Sequence, residues 1–379
     1  MAVLHKKKIN FYGIVILFVT SVMTVAHADS VKPMQIQKHN GQVQKQNRYA
    51  IPLSATFIPL NHQDAAITTV GRLHYLGGLK ITSSNRQFGG ISSFVVSPDG
   101  RQILGVSDSS RWFVADMIYN DNNHLIDIKN AHMAPIKNLD GPQKSNALDA
   151  EAITAVDGAG FVVSFESPHT LRYFQASRPF EYNSLFSAVA QKVNFAPELP
   201  RAYASLPRNL GIEALTTLPD GRMLAFSEET TSNGGIEQAR GWIIGHGKIE
   251  PLRYETSASY RPTDMATLPN GDILVLERHF SLAKGMAARL TRLPALSIEA
   301  GQSVKGKIIA DLAFPFNLDN MEALAVRQND RGETVIYIMS DNNYNRLQRN
   351  ILMMFKMDAP IKKAADKING LNRILAGSN

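Results

Sequence analysis

Gly211-Ile-Glu-Ala-Leu-Thr-Thr-Leu-Pro-Asp-Gly-Arg-Met-Leu-Ala-Phe-Ser-Glu228 reads as two short apolar strands joined by a Pro-Asp-Gly turn, with a carboxylate near each outer end. Pro219 presets the backbone of the turn, and Gly221 supplies the conformation that residues with a Cβ resist. The phrase returns as Pro262-Thr-Asp-Met-Ala-Thr-Leu-Pro-Asn-Gly-Asp-Ile-Leu-Val-Leu-Glu277, and more loosely over 90–108, 149–166 and 320–341. A hairpin this apolar cannot bury both of its faces alone, so successive copies must pack on one another. Glu151, Glu213, Asp264 and Glu322 follow at spacings of 62, 51 and 58 residues. Such periods, with several short strands each, point to β-propeller blades.

Working outward, further strands are expected at 55–60, 73–81, 91–97, 102–107, 152–156, 161–165 and 171–175. In the second half they are expected at 241–244, 289–293, 334–339 and 351–356. Helical spacing of Leu185, Phe186, Val189 and Val193 predicts a helix over 181–193, and a second is expected over 364–375. The last repeat supplies three strands before the chain turns polar, so the unmatched N-terminal strands are expected to complete its sheet and close the ring. The fold class is all-β: a single propeller over 51–360, of six blades before five or seven, followed by a tail over 361–379.

The N-terminus carries Lys6, Lys7 and Lys8, a mostly apolar run, and Ala26-His27-Ala28 before Asp29. This is the pattern of a secretory signal peptide over 1–28, ahead of a flexible polar leader over 29–50. The mature chain is expected in the periplasm or outside the cell, with no membrane association after cleavage. Loss of the three lysines takes the formal charge from +7 to +4. No Lys/Arg block remains to track nucleic acid, which argues against that class of partner. The chain has no cysteine, which excludes disulfides, thiolate nucleophiles and cysteine-based zinc sites. A hydrophobic content of 44% over 379 residues leaves ample material for a core.

In a propeller the first strand of each blade lines the central channel. Glu151, Glu213, Asp264 and Glu322 are therefore expected at one channel mouth, as ligands of a hard cation, Ca²⁺ before Mg²⁺. Asp108, Glu166, Glu228, Glu277 and Asp341 end the second strands, and antiparallel pairing brings them to the same face. Crowded carboxylates repel one another unless cations or basic side chains neutralise them. Glu166, Glu277, Arg278 and His279 are the candidate catalytic groups. Arg261, His169 and Arg111 are candidates for holding a small anionic ester. The bland alternative is local capping and surface ion pairing of each residue separately. Nucleophile-elbow, zinc-protease and P-loop motifs are all absent. Asn120-Asp-Asn-Asn123 lacks the glycine and terminal glutamate of an EF-hand and reads as a turn.

The phrases Phe88-Gly-Gly-Ile-Ser92, Val106-Ser-Asp108, Asp149-Ala-Glu-Ala152, Ser164-Phe-Glu166 and Asn209-Leu-Gly-Ile-Glu-Ala-Leu215 occur in that order. Ser227-Glu228, Arg261-Pro-Thr-Asp264, Leu276-Glu-Arg-His-Phe280, Asn320-Met-Glu-Ala323 and Ser340-Asp-Asn342 follow. Together they resemble the bacterial "esterase-like activity of phytase" family over about residues 70–357. The resemblance implies an exported propeller-like domain that hydrolyses a phosphoester or carboxyester. Calcium-dependent propeller phytases set acidic residues around Ca²⁺, with Lys, Arg or His on the phosphate. Two other readings stay open: a non-catalytic propeller that binds a ligand or protein on its acidic face, and a calcium-dependent lactone hydrolase.

Overall fold

The computed structural model describes residues 48–138, 148–156, 158–166, 168–193, 206–207, 209–256, 259–283 and 285–358. These residues build five sheets, here blades 1 to 5 in chain order. From the inside outwards, blade 1 holds Ile91–Val96, Gln102–Ser107, Arg111–Tyr119 and Leu125–Pro135. Blade 2 holds Asp149–Val156, Gly160–Glu166, Thr170–Gln175 and Gln191–Lys192. Blade 3 holds Ile212–Thr217, Met223–Asn233, Ile236–Gly245 and Lys248–Glu255, with Ser303–Lys305 at its outer edge. Blade 4 holds Arg261–Thr267, Ile273–Ser281, Gly285–Leu293 and Lys307–Leu312. Blade 5 begins with Asn320–Gln328, Thr334–Asp341 and Asn350–Met357. Each innermost strand packs against those of its two neighbours, and blade 5 returns to blade 1.

Strand periodicity explains the packing. Successive side chains point to opposite faces of a sheet. On the second strand of blade 4, Ile273 and Val275 enter the gap towards blade 3, while Leu274 and Leu276 enter the gap towards blade 5. The core is accordingly divided into five apolar clusters, one in each gap between adjacent blades. Each large aliphatic side chain buried this way contributes about 1.5–3 kcal/mol, which lets a chain without disulfides hold a ring together.

The ring closes as the sequence predicts, but with five blades rather than six. Leu73–Ser83 and Leu53–Phe57 add to the outer side of blade 5, so they fill a three-stranded sheet and leave none for a sixth. Just before them, Tyr49–Ala50 pairs with the outer strand of blade 1, Tyr49 opposite Met133. One N-terminal segment thus ties both sides of the seam. The helix expected over 181–193 is instead a short 3-10 turn, Tyr182–Phe186, followed by Gln191–Lys192 pairing on blade 2. The free edge of Thr170–Gln175 takes up that backbone, and Tyr182, Leu185 and Phe186 sink into the gap between blades 1 and 2. The signal peptide over 1–28 and the helix over 364–375 lie outside the described residues, as does all but the end of the leader. No helix among the described residues is long and apolar enough to cross a membrane.

Candidate functional site

Every innermost strand carries a β-bulge at the same point. The register against the second strand skips one residue at Ser92, Glu151, Glu213, Thr263 and Glu322. A bulge leaves its extra residue unpaired and re-aims the side chain. All five bulged residues line a single cavity of about 240 Å³. The facing ends of the second strands bring Asp108, Glu166, Arg278 and Asp341 to the same cavity, which Asp149, Asn209 and Asn343 complete. Glu228 holds the corresponding position in blade 3, where its N–H donates to Gly211 O.

Seven carboxylates therefore meet one guanidinium among the described lining residues. Arg278 is fully engaged: it donates to Glu322 Oε1 at 2.7 Å, to Glu228 Oε1 at 3.0 Å and to Asn320 Oδ1. Among the described lining residues the blade 2 side has no such partner. Asp149 stands opposite Glu166 in the ladder, and oxygens of Asp149, Glu151 and Glu166 lie within 4.8 Å of one another. Burial pushes the Glu166 carboxyl up to about 7, with the Gly211 N–H opposing and Asp149 and Glu228 adding to the rise. Asp108 is pushed up to about 7 by burial and by Asp341 and Asp149. Glu151 and Glu213 are raised well above the usual range, first by burial, then by their acidic neighbours. Hard oxygen donors with excess negative charge fit Ca²⁺. Buried oxygens of Asp108, Asp149 and Asp341 that have no hydrogen-bond partner support the same fit.

The structure brings Glu151, Glu213, Glu322, Glu166, Arg278, Asp108 and Asp341 together, all expected at this face from the sequence, and places Asp264, Glu277, His169, His279 and Arg111 outside the cavity lining. Asp264 does not line the cavity. Its buried carboxylate accepts N–H groups of Met265 and Leu324 and the Ser93 hydroxyl. Glu277 is buried away from the cavity and accepts the Thr291 hydroxyl at 2.7 Å. Both are one residue off, because the bulge in blade 4 falls at Thr263 and the matching second-strand position is Arg278. Arg261 stands at the mouth, 3.6 Å from Glu228 Oε1. His169 lies behind Glu166, with Nε2 donating to the carbonyls of Leu206 and Pro207. His279 donates to Ser259 O and packs on Tyr260, outside the cavity. Arg111 faces the Tyr49 phenol on the flank of blade 1.

The sequence leaves the matching point of the first repeat between Ser92 and Ser93, which the bulge decides for Ser92, and it does not single out Thr263, Asp149, Asn209 or Asn343. A usable signal existed: Ser92, Glu213 and Thr263 each precede the turn glycines Gly100, Gly221 and Gly271 by eight residues. Counting from the turn, rather than from the nearest acid, finds the bulge.

Among solved structures, the chain is similar to a protein of unknown function from Bacteroides caccae, at 8% identity and a TM-score of 0.28. That match covers 65% of this chain and 66% of the other. A hypothetical protein from Leishmania major matches at 11% identity and a TM-score of 0.38, covering 73% of this chain and 86% of that one. The β-propeller domain of Myceliophteria thermophila Cps50 (Swd1) matches at 8% and 0.34, covering 82% and 99%. No curated protein matches. A family model does, over residues 86–344, a span that contains all the cavity-lining residues. The chain belongs to the phytase-like family described as "esterase-like activity of phytase", to which a hydrolase-type function is ascribed.

Proposed function

We propose that this chain is an exported, metal-dependent hydrolase of a small anionic ester, a phosphoester before a carboxyester, acting at the bulge-lined cavity. The observation that carries the reading is the excess of carboxylates on the blade 2 side, where Asp149, Glu151 and Glu166 cluster without a basic partner among the described residues that line the cavity. These three would hold Ca²⁺. Such an ion supplies Lewis acidity towards an ester oxygen.

The chain's own groups supply the rest. Glu213, next round the ring, is held above the ordinary carboxyl range by burial and by Glu228 and would be the proton donor to a leaving oxygen. Arg261, half exposed and beside Glu228, would receive the substrate's negative charge. Arg278 is a positioning residue: with Glu228, Glu322 and Asn320 already on its guanidinium, it orients the blade 3 and blade 5 carboxylates.

Purified protein is assayed on an aryl phosphate, an aryl acetate and a lactone, with Ca²⁺ and with chelator. The proposal predicts turnover of the phosphate or acetate that chelator removes and Ca²⁺ restores. Lactone cleavage alone would favour the lactone hydrolase, and Ca²⁺ binding with no turnover would favour a binding propeller.

A further inference from the structure

We infer a second cation site in the same cavity, between Asp108 and Asp341, that takes a hard divalent ion such as Ca²⁺. It shares the cavity with the proposed active site but stands on different carboxylates, from blades 1 and 5 on either side of the ring's seam. Gly90 holds the pair together. Its carbonyl accepts the Asp108 N–H at 2.9 Å, and its own N–H donates to the Asp341 carboxylate. At φ of 63°, a Cβ here would strike Asp108 Oδ1 and the Tyr344 ring, so glycine is what lets the carboxylate close in.

An oxygen on each acid is left over. Asp341 is 2% exposed, and its Oδ1 has no hydrogen-bond partner; Asp108 Oδ1 is buried and equally without one. Burying an anionic oxygen without a partner is costly unless a cation or proton meets it. Among the described residues the cavity's one guanidinium is already committed to Glu228, Glu322 and Asn320. Asn343, two residues beyond Asp341 on the cavity wall, donates through its amide nitrogen to Gln348 and keeps its oxygen as an acceptor. Two carboxylates and an amide oxygen, with water filling the other positions, suit the flexible oxygen shell of Ca²⁺ and not the demands of a softer metal.

The test is a calorimetric Ca²⁺ titration of the metal-stripped full chain and of two variants, Asp341→Asn and Glu151→Gln, with far-UV circular dichroism to confirm folding. The inference predicts two Ca²⁺ per chain in the wild type, one in each variant and none in the double variant. Asp108→Asn replaces Asp341→Asn if the latter fails to fold, with the same expected loss of one equivalent. Wild-type stoichiometry retained in Asp341→Asn, or a single equivalent that Glu151→Gln alone removes, would overturn the second site and leave the proposed active-site ion standing. A single equivalent removed only by Asp341→Asn would support the second site and contradict the active-site ion. No binding at all would overturn both.

Discussion

Ser93 Oγ on the innermost strand of blade 1 donates a 2.9 Å hydrogen bond to Asp264 Oδ2 on the innermost strand of blade 4, a blade it does not adjoin. The same hydroxyl accepts the Ile153 N–H of blade 2 at 3.3 Å, and the same carboxylate accepts the Leu324 N–H of blade 5 at 2.8 Å. Four blades are thus pinned through one pair, one residue along the strands from the bulges that line the cavity. Asp264 ties the ring together and does not line the cavity.

Asp264→Ala therefore strands the Leu324 and Met265 N–H groups and the Ser93 hydroxyl in a buried setting. It is expected to cost about 2–4 kcal/mol in urea unfolding, while Ser93→Ala costs about 1 kcal/mol. Calcium stoichiometry should be unchanged in any folded fraction. A loss of bound Ca²⁺ at full stability would show that Asp264 belongs to the site after all.

Arg278→Met removes the counter-charge of Glu228 and Glu322 and should cost about 3 kcal/mol at pH 8, with a smaller penalty at pH 5, where Glu322, whose carboxyl burial pushes up to about 8, can protonate. Arg278→Lys restores the charge but not the fork that reaches Glu228, Glu322 and Asn320 together, so it should recover only part of the loss. Chemical denaturation at the two pH values measures both. An equal penalty at pH 5 and pH 8 would contradict the counter-charge role.

The raised carboxyls predict an unusual dependence of stability on pH. Asp108 and Glu166 bind their protons more tightly folded, at about 7, than at their ordinary values of 3.8 and 4.5. Their contribution is complete below the unfolded value and is lost as pH climbs through the folded one. In chelator, Tm should fall from pH 5 to pH 8, and added Ca²⁺ should raise it more at pH 8. Thermal scans decide this, and a chelated Tm that rises across that range would contradict it.

Much of this was legible in the chain. The turn-centred repeats of blades 3 and 4 mark out two inner hairpins, and the shortfall of strands after Asn320 announces that the N-terminus must complete the last sheet. Three features escaped. Arg111–Tyr119 and Leu125–Pro135 lack the turn phrase, and only the Asn120–Asn123 turn between them hints at the outer half of blade 1. Gln191–Lys192 is polar, and only the open edge of its neighbour makes it a strand. In blade 4 the acids of Pro262-Thr-Asp264 and Leu276-Glu277 drew the alignment one residue off. Because side chains alternate between faces, one residue is enough to move a carboxylate out of the cavity and into the ring's interior.

The central claim is that the bulges gather carboxylates into a cation-binding cavity. An anomalous difference map from crystals soaked in Ca²⁺, or in Tb³⁺ as its surrogate, tests it most directly. The account predicts a peak among Asp149, Glu151 and Glu166. A fully soaked crystal with no peak in the cavity, its carboxylates paired only with Arg278 and water, would contradict it.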